Sequence, residues 1–320
     1  MITMELKSTR EAYGTALAKL GSTCKNIVVL DADLSISTKT SNFKERYPER
    51  FFNVGCAEQN LIGVAAGLAI AGKVAFASTF AIFSNRAWEQ IRNVVAHDNL
   101  NVKIAATHSG LTASKDGASH QSLEDIALMR VIPNMSIIVP ADSIETEKVI
   151  LSEVNRRGPA YIRLNREKTP VIYNNDYRFR FGKAVRLTDG DDLTIIATGT
   201  MVPEVIYASK MLREENINAR VLNIHTIKPI DKEAIIESAQ KTNAIITVEE
   251  HSIYGGLGSA VCEVLAESYP VPIKIIGIND KFGESGEYKQ LLKRYGLTAF
   301  DIVKSAKELL VCKGTIRRKR

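Results

Sequence analysis

An acid at the start of an apolar segment is the first feature of this sequence that could do chemistry. The segment 51–60 reads FFNVGCAEQN and places Glu58 just before a run of apolar residues. Buried carboxylates are uncommon unless they are paired or hydrogen-bonded. Glu58 is therefore either an acid that complements the dipole of a helix beginning there or an acid held protonated by burial, able to donate to a ligand. The residues by themselves leave both interpretations open.

A polar loop supplies two of the five histidines of the chain. It reads THSGLTASKDGASHQ over 107–121 and contains His108, Asp116 and His120. The loop follows a predicted strand, and open parallel sheets bind ligands at the carboxyl ends of their strands. A polar loop of this kind is usually solvated and has no further role. Because this one contains two histidines and an aspartate, a binding or catalytic site is an equally good interpretation.

Rings and cations occur in two more segments. Phe80 and Phe83 lie three residues apart, a spacing more typical of core packing than of a stacking platform for a ligand. Arg163 and Arg166 lie at the end of another predicted strand. An arginine there is either a surface charge or a clamp for an anion, because the guanidinium fork matches phosphate.

Other motifs are weak or missing. The run GGLGS at 255–259 lacks the third glycine of a dinucleotide-binding fingerprint, since Val261 stands there, and tight helix–strand packing is favoured instead. Cys56 is interpreted as a small buried residue rather than a nucleophile. The sequence has no zinc-binding spacing, metalloprotease motif, nucleophile elbow or complete phosphate loop, and we predict no metal ligand on this chain.

The elements that position these side chains alternate between strand and helix almost throughout. The predicted strands are continuous apolar runs, as a parallel sheet covered on both faces requires. A capping-box pattern from Ser8 to Glu11 opens the first helix. Strands are predicted at 26–30, 74–79, 102–107, 135–139, 160–164, 193–197, 221–224, 245–248 and 273–276. Helices are predicted at 8–20, 57–71, 86–96, 123–131, 144–156, 203–215, 232–240, 259–267, 288–295 and 300–310.

A polar segment at 165–190, with Pro170 and two glycines, interrupts this alternation. We therefore predict an α/β protein with two doubly wound domains. The first covers 1–170, a linker covers 171–187, and the second domain covers 188–320.

The overall composition argues against several classes of function. The chain has 320 residues and a net charge of +6, but five basic residues lie in a predicted solvated tail at 313–320. The remaining body is near neutral, which argues against nucleic-acid binding. Residues 61–83 are mostly apolar, yet Gly72 and Lys73 interrupt them, and no membrane span is predicted. Four scattered cysteines and an N-terminus unlike a signal peptide predict a reducing, cytoplasmic location.

Taken in order, these segments resemble the C-terminal two-thirds of transketolase, from about residue 6 to the end of the chain. The resemblance rests on NVGCAEQN, STFAIF, THSG followed by DGASHQSLED, and the strand-end arginines. It implies a pyrimidine-binding domain followed by a transketolase C-terminal domain. The diphosphate-binding domain that precedes them in the family is missing from this sequence. The resemblance therefore implies one subunit of a split transketolase.

The resemblance assigns contacts with a cofactor. Glu58 matches the acid that hydrogen-bonds the aminopyrimidine ring of thiamine diphosphate, where a shared proton favours the tautomer that activates the cofactor. Phe80 and Phe83 match aromatic residues packed on the pyrimidine, and Asp33 matches an acid beside the cofactor. The next aromatic position of the family is occupied here by Arg86, a departure from the pattern.

Substrate contacts follow in the same way. His120 and Asp116 match residues that contact the carbonyl and hydroxyls of the sugar, and His120 would stabilise a developing alkoxide as a catalytic residue. Arg163 is an additional candidate for holding the sugar phosphate. The positions that hold the sugar phosphate are matched by Arg10, Ser37, His108 and Arg166.

The implied reaction is the reversible transfer of a two-carbon ketol unit from a ketose phosphate, such as xylulose 5-phosphate, to an aldose phosphate in the pentose phosphate pathway. Thiamine diphosphate and Mg2+ are the implied cofactors, with the metal ligands on an N-terminal partner subunit. This chain is expected to form the homodimeric core of a heterotetramer.

Four alternatives stay open. A specialised transketolase for an unusual sugar phosphate is harder to exclude than the others. The β subunit of a 2-oxo-acid dehydrogenase has the same two-domain layout, but the paired histidines favour a sugar phosphate. Deoxyxylulose-phosphate synthase shares the AEQ and HQ motifs but is normally one long chain. A non-catalytic binding protein is disfavoured by intact Glu58, Asp116 and His120.

Overall fold

The computed structural model describes residues 5–318, with side chains described through Val311. Over this range, strands and helices alternate and build two sheets dominated by parallel strands. The prediction of an α/β protein with two doubly wound domains is confirmed. The predicted basic tail at 313–320 lies outside the described side chains. No helix in the described part of the chain is long and apolar enough to cross a membrane.

The first sheet has seven strands, of which only β12 runs antiparallel to its neighbour. In order across the sheet they are β12 (Thr226–Lys228), β6 (Ser136–Ile138), β7 (Ala160–Arg163), β5 (Val102–Thr107), β4 (Val74–Phe80), β2 (Ile27–Asp31) and β3 (Phe51–Asn53). The inner strands β2, β4, β5 and β7 are buried along their whole length, since helices cover both faces. A short antiparallel pair, β1 (Leu6–Lys7) with β8 (Thr169–Pro170), stands apart.

Helices cover the two faces of this sheet. Tyr13 and Val149, from the first and last of them, pack in one apolar cluster, whereas Leu61 and Ile91 pack in another. The helices are α1 (Thr9–Thr23), α2 (Ser35–Thr38), α3 (Ser41–Lys44), α4 (Glu58–Ile70), α5 (Ala81–Ser84), α6 (Trp88–Gln90), α7 (Asp125–Arg130) and α8 (Ser143–Asn155). Three 3-10 segments, Pro48–Arg50, Asn85–Ala87 and Gly110–Asp116, and a π-helix, Ile91–Ala96, complete this half.

The second sheet has five strands, and only β9 is antiparallel to its neighbour. Across the sheet they are β14 (Ile273–Ile278), β13 (Ile245–Ser252), β10 (Leu193–Ala197), β11 (Ala219–Asn223) and β9 (Val185–Thr188). Its helices are α9 (Met201–Glu214), α10 (Lys232–Thr242), α11 (Leu257–Ser268), α12 (Tyr288–Arg294) and α13 (Ala299–Arg318). Ile235 of α10 and Val261 of α11 belong to the same cluster as Ile91, so the apolar core is continuous between the two halves.

Strand β12 belongs to the second half of the chain by sequence but to the first sheet by pairing. Thr226 stands opposite Ile138 of β6, and the backbone amide of Val139 donates to the carbonyl of His225 at 2.7 Å. An edge strand presents unpaired backbone groups that invite further pairing. The pairing with β12 covers the outer edge of β6 with a strand from beyond the connecting segment.

Most predicted elements are confirmed, and the differences have local causes. Strand β3 was not predicted, because it lies at the sheet edge, is partly exposed and lacks a continuous apolar run. The single helix predicted at 86–96 is divided into 3-10, α and π segments. The prediction of a buried Cys56 is wrong, since this residue is exposed.

The capping box predicted at Ser8 does not form, although α1 begins where expected. Ser8 is the N-cap residue but makes no side-chain capping hydrogen bond. The first helical residue, Thr9, instead donates its backbone amide and its hydroxyl to the Asn165 side chain, at 2.7 and 2.5 Å. A tertiary contact with the end of β7 thus replaces the local cap.

Candidate functional site

The predicted site residues gather where β2, β4, β5 and β7 end at one edge of the first sheet. Phe80 is the last residue of β4, His108 follows β5, and Arg166 follows β7. Arg10, in the first turn of α1, reaches the same edge and contacts His108. This is the edge at which parallel sheets bind ligands.

Phe80 lies at the centre of the site. Its ring stacks on Phe83 with centroids 5.4 Å apart, and on the imidazole of His108 with centroids 3.7 Å apart. Phe83 lies in α5, directly after β4, and His108 directly follows the neighbouring strand β5. Phe80 therefore joins an aromatic side of the site to a polar side.

His108 is a neutral side chain that holds Arg10 in place. Its Nε2 lies 3.2 Å from Nη1 of Arg10, and its Nδ1 lies 2.9 Å from the hydroxyl of Thr107. Because arginine only donates, Nε2 accepts, and the remaining proton sits on Nδ1 and points to Thr107. Burial, reinforced by the charges of Arg10 and Arg166, lowers the pKa of His108 to about 3. Both ring nitrogens are thereby engaged.

The polar side is a cavity of about 430 Å3 with a cationic lining. Burial, together with the charge of Arg166, lowers the pKa of Arg10, as expected where guanidinium groups face one space. Arg166 donates to Asp116 at 2.8 Å and to the carbonyl of Ala113 at 3.2 Å. The lining residues are Arg10, Ile36, Ser37, Lys39, Phe80, His108, Asp116 and Arg166.

The aromatic side contains Glu58, which is buried at the first position of α4. Arg86 places its Nη1 3.6 Å from Oε2 of Glu58. The same guanidinium lies over the ring of Phe83, 5.1 Å from its centroid. Glu58 thus lies at the start of α4 beside the guanidinium of Arg86, and the ring of Phe83 packs against that guanidinium.

His120 joins this side from the loop after β5. Its ring meets Phe83 edge-on with centroids 5.4 Å apart, and its Nδ1 lies 3.0 Å from the hydroxyl of Ser119. His120 is half-buried, so part of its ring faces solvent. Phe83 therefore contacts His120 directly and is connected to Glu58 through Arg86.

Two predicted residues have hydrogen-bond partners away from the cationic cavity. Asp33 is exposed, pairs with Asn53 and does not line the cationic cavity. Arg163 is buried beneath the loop that follows β5, where it donates to Asp125 at 2.8 Å and to the carbonyl of Glu250 at 3.1 Å. Ser37 does line the cavity, and its carbonyl accepts from Arg10 at 2.9 Å.

The loop after β5, predicted as a polar loop, is largely buried because the second domain holds it. The carboxylate of Glu250, a residue of β13, accepts a hydrogen bond from the backbone amide of Thr112 at 3.1 Å. The same carboxylate accepts from Thr200 at 2.5 Å and from Tyr288 at 2.7 Å. Gly110 approaches so closely that a Cβ there would lie 2.4 Å from Oε1 of Glu250. Glu250 thus ties the start of the loop to three elements of the second domain.

The segment before α12 holds the second half of the same loop. Gln121 donates to the carbonyl of Glu284 at 2.9 Å, and Ser285 donates to the carbonyl of Lys115 at 2.7 Å. Lys115 also pairs with Glu287 at 2.6 Å. These contacts flank the positions of Asp116 and His120, so the second domain supports the loop that carries both.

Lys39 is a cavity residue that sequence reasoning missed. It lies in the short stretch 37–40, STKT, just after the end of β2. The available signal was its position: a lysine between two threonines close to the carboxyl end of a buried strand. This short stretch has no helical or strand periodicity and belongs to none of the motifs named above.

The residues of this site suit one half of a thiamine cofactor. A buried carboxylate beside stacked phenylalanine rings fits a flat, basic, hydrogen-bonding ring such as a pyrimidine. The described residues contain no group of three or more His, Cys, Asp or Glu side chains that could hold a metal ion. The donor set therefore fits the pyrimidine.

The glycine run at 255–259 serves packing. The backbone amides of Leu257 and Gly258, at the start of α11, donate to the buried Glu249 carboxylate at 2.7 and 2.8 Å. A Cβ on Gly256 would lie 2.0 Å from Oε2 of Glu249. The helix start is thus occupied by a side chain of the same domain, which leaves no room there for a nucleotide phosphate.

Comparison with known proteins gives two family matches that together span most of the chain. Residues 6–171 match the family described as transketolase, pyrimidine binding domain, and residues 182–302 match transketolase, C-terminal domain. A putative transketolase C-terminal section from Methanocaldococcus jannaschii is 52% identical over 94% of this chain and 96% of its own length. The 6-deoxy-6-sulfo-D-fructose transketolase subunit SqwH from Clostridium sp. is 42% identical over 94% of both chains.

A solved structure is similar over nearly the whole chain. It is described as a split gene transketolase, inactive beta4 tetramer, and it superposes with a TM-score of 0.89 at 53% identity. The match covers 95% of this chain and 98% of that one. The likeness therefore extends to both domains and to their relative placement.

Proposed function

The chain belongs to the transketolase family, and we propose that it is the subunit of a split transketolase that contributes the pyrimidine-binding and sugar-phosphate-binding parts of the active site. The observation that carries this proposal is the arrangement around Phe80. An acid with aromatic walls lies on one side of it, and a cationic cavity lies on the other. A cofactor ring and a sugar phosphate need these two environments side by side.

The proposed cofactor is thiamine diphosphate, which when bound supplies the nucleophilic carbon that ketose cleavage requires. Glu58 hydrogen-bonds the ring nitrogen of the pyrimidine and holds the proton that is shared there. Phe80 and Phe83 form the apolar wall on which that ring packs. Asp33 is proposed as a more distant contact, since its present partner is Asn53.

The substrate is proposed to lie between His120 and the cationic cavity. His120 donates a hydrogen bond to the sugar oxygen on which negative charge develops, and so acts as a catalytic residue. Asp116 binds sugar hydroxyls. The phosphate is bound by Arg10 and Arg166, with Ser37 at the same wall. The residues therefore orient the donor ketose with its phosphate away from the cofactor.

His108 takes part in this proposal as a positioning residue. It is a neutral acceptor for Arg10 and not a cation, because burial and the nearby arginines lower its pKa to about 3. Its stacking on Phe80 links the position of Arg10 to the aromatic wall. The cationic lining and the imidazole favour a sugar phosphate over a 2-oxo acid, which has no distal dianion.

A separate N-terminal subunit is proposed as the partner, carrying the diphosphate-binding domain and the Mg2+ ligands. The names of the relatives support this, because one is called a C-terminal section, another a subunit, and the similar structure a split gene transketolase. Two copies of each subunit are proposed, built on a homodimer of this chain.

Domain bounds of 1–170 and 188–320, with a linker at 171–187, are supported by family matches over 6–171 and 182–302. A cytoplasmic location agrees with unpaired Cys24, Cys56 and Cys262.

A specialised substrate is the second candidate. The relative from Clostridium sp. is named for 6-deoxy-6-sulfo-D-fructose, which differs from a sugar phosphate in its terminal anion. A shared fold at 42% identity therefore accommodates more than one terminal group. Xylulose 5-phosphate as donor and ribose 5-phosphate as acceptor remain our first proposal.

The test is ketol transfer from xylulose 5-phosphate to ribose 5-phosphate with thiamine diphosphate and Mg2+. The assay is run with this chain alone, with the diphosphate-binding partner alone and with both. Activity in the mixture only is the expected result. Activity of this chain by itself would overturn the partner requirement. A bound but inactive mixture, tested on sulfosugar and 2-oxo-acid panels as well, would overturn the proposed reaction.

A further inference from the structure

The cationic cavity contains an ammonium group that the family resemblance does not assign. Lys39 lines the cavity with Arg10 and Arg166, and the described part of the chain offers its Nζ neither a hydrogen bond nor an ion pair. The one carboxylate in the lining, Asp116, is committed to Arg166 at 2.8 Å. The cavity therefore carries more positive charge than its own groups neutralise.

The backbone holds Lys39 in a conformation that lysine rarely adopts. Lys39 follows the last residue of α2 with φ 70° and ψ 13°, in the left-handed region. Helices commonly end in this way, but glycine or asparagine usually stands there. A lysine at this position accepts a conformational cost, which is typical of residues kept for a functional reason.

A buried carboxylate fixes both neighbours of Lys39. The hydroxyls of Thr38 and Thr40 donate to Oδ2 of Asp31 at 2.7 and 2.9 Å. Asp31 is fully buried at the end of β2, and its other oxygen accepts from the backbone amide of Leu34 at 2.5 Å. The residues on both sides of Lys39 are thereby anchored to the end of β2.

A glycine in α1 makes room for this turn. A Cβ on Gly14 would lie 2.4 Å from the carbonyl oxygen of Lys39 and 2.6 Å from its Cβ. Arg10 precedes Gly14 by one helical turn, so the close approach brings Lys39 next to the helix end that carries Arg10. The packing of α1 and the Asp31 cluster together place the ammonium at the cavity.

We propose that Lys39 is a further ligand for the terminal anion of the substrate and that it makes the cavity select a dianion, such as a phosphate monoester, over a monoanion such as a sulfonate. The inference rests on the proposed function for the identity of the sugar, but the anion site consists of residues of this chain alone. Three cations face the cavity, and its one carboxylate is paired. A doubly charged group balances that excess, and a singly charged group does not.

The first experiment measures anion binding to the chain alone by calorimetry in low-salt buffer near pH 8. Inorganic phosphate is the dianionic probe and methanesulfonate the monoanionic one. Wild type is expected to bind phosphate more tightly than methanesulfonate. Lys39→Met is expected to weaken phosphate binding roughly ten- to hundredfold and to narrow the difference between the probes. Lys39→Arg retains the charge and is expected to retain the preference.

The matched control is Lys19→Met, which removes an exposed lysine from the outer part of α1. Its phosphate affinity is expected to equal that of wild type. Circular dichroism and thermal unfolding of each variant establish that the fold is retained. Equal phosphate affinities in Lys39→Met and Lys19→Met would overturn the proposal.

A second experiment uses the complete enzyme, with partner subunit and cofactors. For Lys39→Met, the KM for xylulose 5-phosphate is expected to rise roughly ten- to hundredfold with kcat unchanged. The KM for erythrulose, an unphosphorylated ketose, is expected to stay the same, whereas an equal rise for both donors would contradict the proposal. If the complete enzyme transfers no ketol unit, the proposed function fails, and calorimetry still decides the role of Lys39.

Discussion

The guanidinium of Arg86 lies 3.6 Å from the carboxylate of Glu58 while covering the ring of Phe83. Glu58 is 7% exposed, so little of its carboxyl group meets water, whereas Arg86 contacts it directly. The acid proposed to bind the cofactor ring is thus contacted by a flat cation that stands where the family resemblance places an aromatic residue. Two predictions follow from this geometry, one for each partner.

Glu58→Gln is expected to lower kcat at least about a hundredfold, because the amide cannot hold and return the proton shared with the cofactor ring. The fold is expected to remain intact, since glutamine has the same shape. Turnover in the reconstituted enzyme is the measurement, and Glu89→Gln, an exposed site in α6, is the matched control. Wild-type turnover in Glu58→Gln would remove Glu58 from the mechanism.

Arg86→Ala is expected to raise the thiamine diphosphate KM about three- to tenfold, because it uncovers one side of Phe83 and removes the cation–π contact. Arg86→Phe is expected to recover most of this loss by restoring a flat group. Cofactor saturation curves measured on the assembled enzyme compare the three proteins. If Arg86→Ala has the same thiamine diphosphate KM as wild type, Arg86 does not contribute to cofactor binding.

Loss of the Glu250 carboxylate is expected to loosen the loop that carries Asp116 and His120. In Glu250→Ala, the Thr112 amide and the hydroxyls of Thr200 and Tyr288 lose their acceptor, at a cost of roughly 2–4 kcal/mol of folding stability. Glu250→Gln retains an oxygen acceptor and is expected to lose less.

Hydrogen exchange separates local from global effects of these variants. Faster exchange at Thr112, with unchanged exchange in the strands of the first sheet, is the expected pattern for Glu250→Gln. The sugar KM is expected to rise in parallel. Unchanged exchange at Thr112 in the alanine variant would contradict the role of Glu250 as a support for the loop.

A buried acid outside the site predicts a pH dependence of stability. Glu145 of α8 is fully buried where the connecting segment meets the second domain, and it accepts hydrogen bonds from Tyr177, Asn223 and the Ala141 amide. Burial raises the pKa of Glu145 from 4.5 to about 7, against the opposing effect of these donors. The folded protein therefore holds the proton more tightly than the unfolded chain does.

The linkage between proton binding and folding gives the direction in which stability changes with pH. The contribution of Glu145 is fully present below about pH 4.5 and is lost as the pH rises through about 7. Relative to Glu145→Gln, wild type is expected to lose roughly 2–3 kcal/mol of unfolding free energy between pH 5 and pH 8. Urea unfolding of both proteins at several pH values measures this difference, and parallel curves would show that Glu145 is ionised throughout the range.

The arrangement of strands was predictable because their burial leaves a direct mark on the sequence. Strands β4, β5 and β10 are buried along their entire length and are mostly apolar, although β5 includes the buried Lys103. Strand β3 was not predicted, because its residues are partly exposed. At Ser8 the sequence pattern predicted a capping box that does not form. The helix start is instead held by a contact between Thr9 and Asn165, which is far away in sequence.

The candidate site was predictable only where a motif carried it. Glu58, His120 and Arg166 lie in motifs of the family resemblance, and the parallel sheet explains why the segments after its strands meet at one edge. Lys39 and Glu250 belong to no motif, and their positions depend on packing between α1 and the turn after β2, and between the two domains. A neutral His108 also required the structure, because its charge depends on the burial and on the arginines around it.

The pairing of β12 with β6 bears on how the protein is made. A ribosome synthesises the chain from its N-terminus, so the first sheet lacks its outer strand until residues 226–228 have emerged. Until then the edge formed by Ser136–Ile138 is open to pairing with any other nascent chain. The first sheet therefore becomes complete only after part of the second half has been made, and a gene split near the connecting segment would yield a first half whose sheet is incomplete.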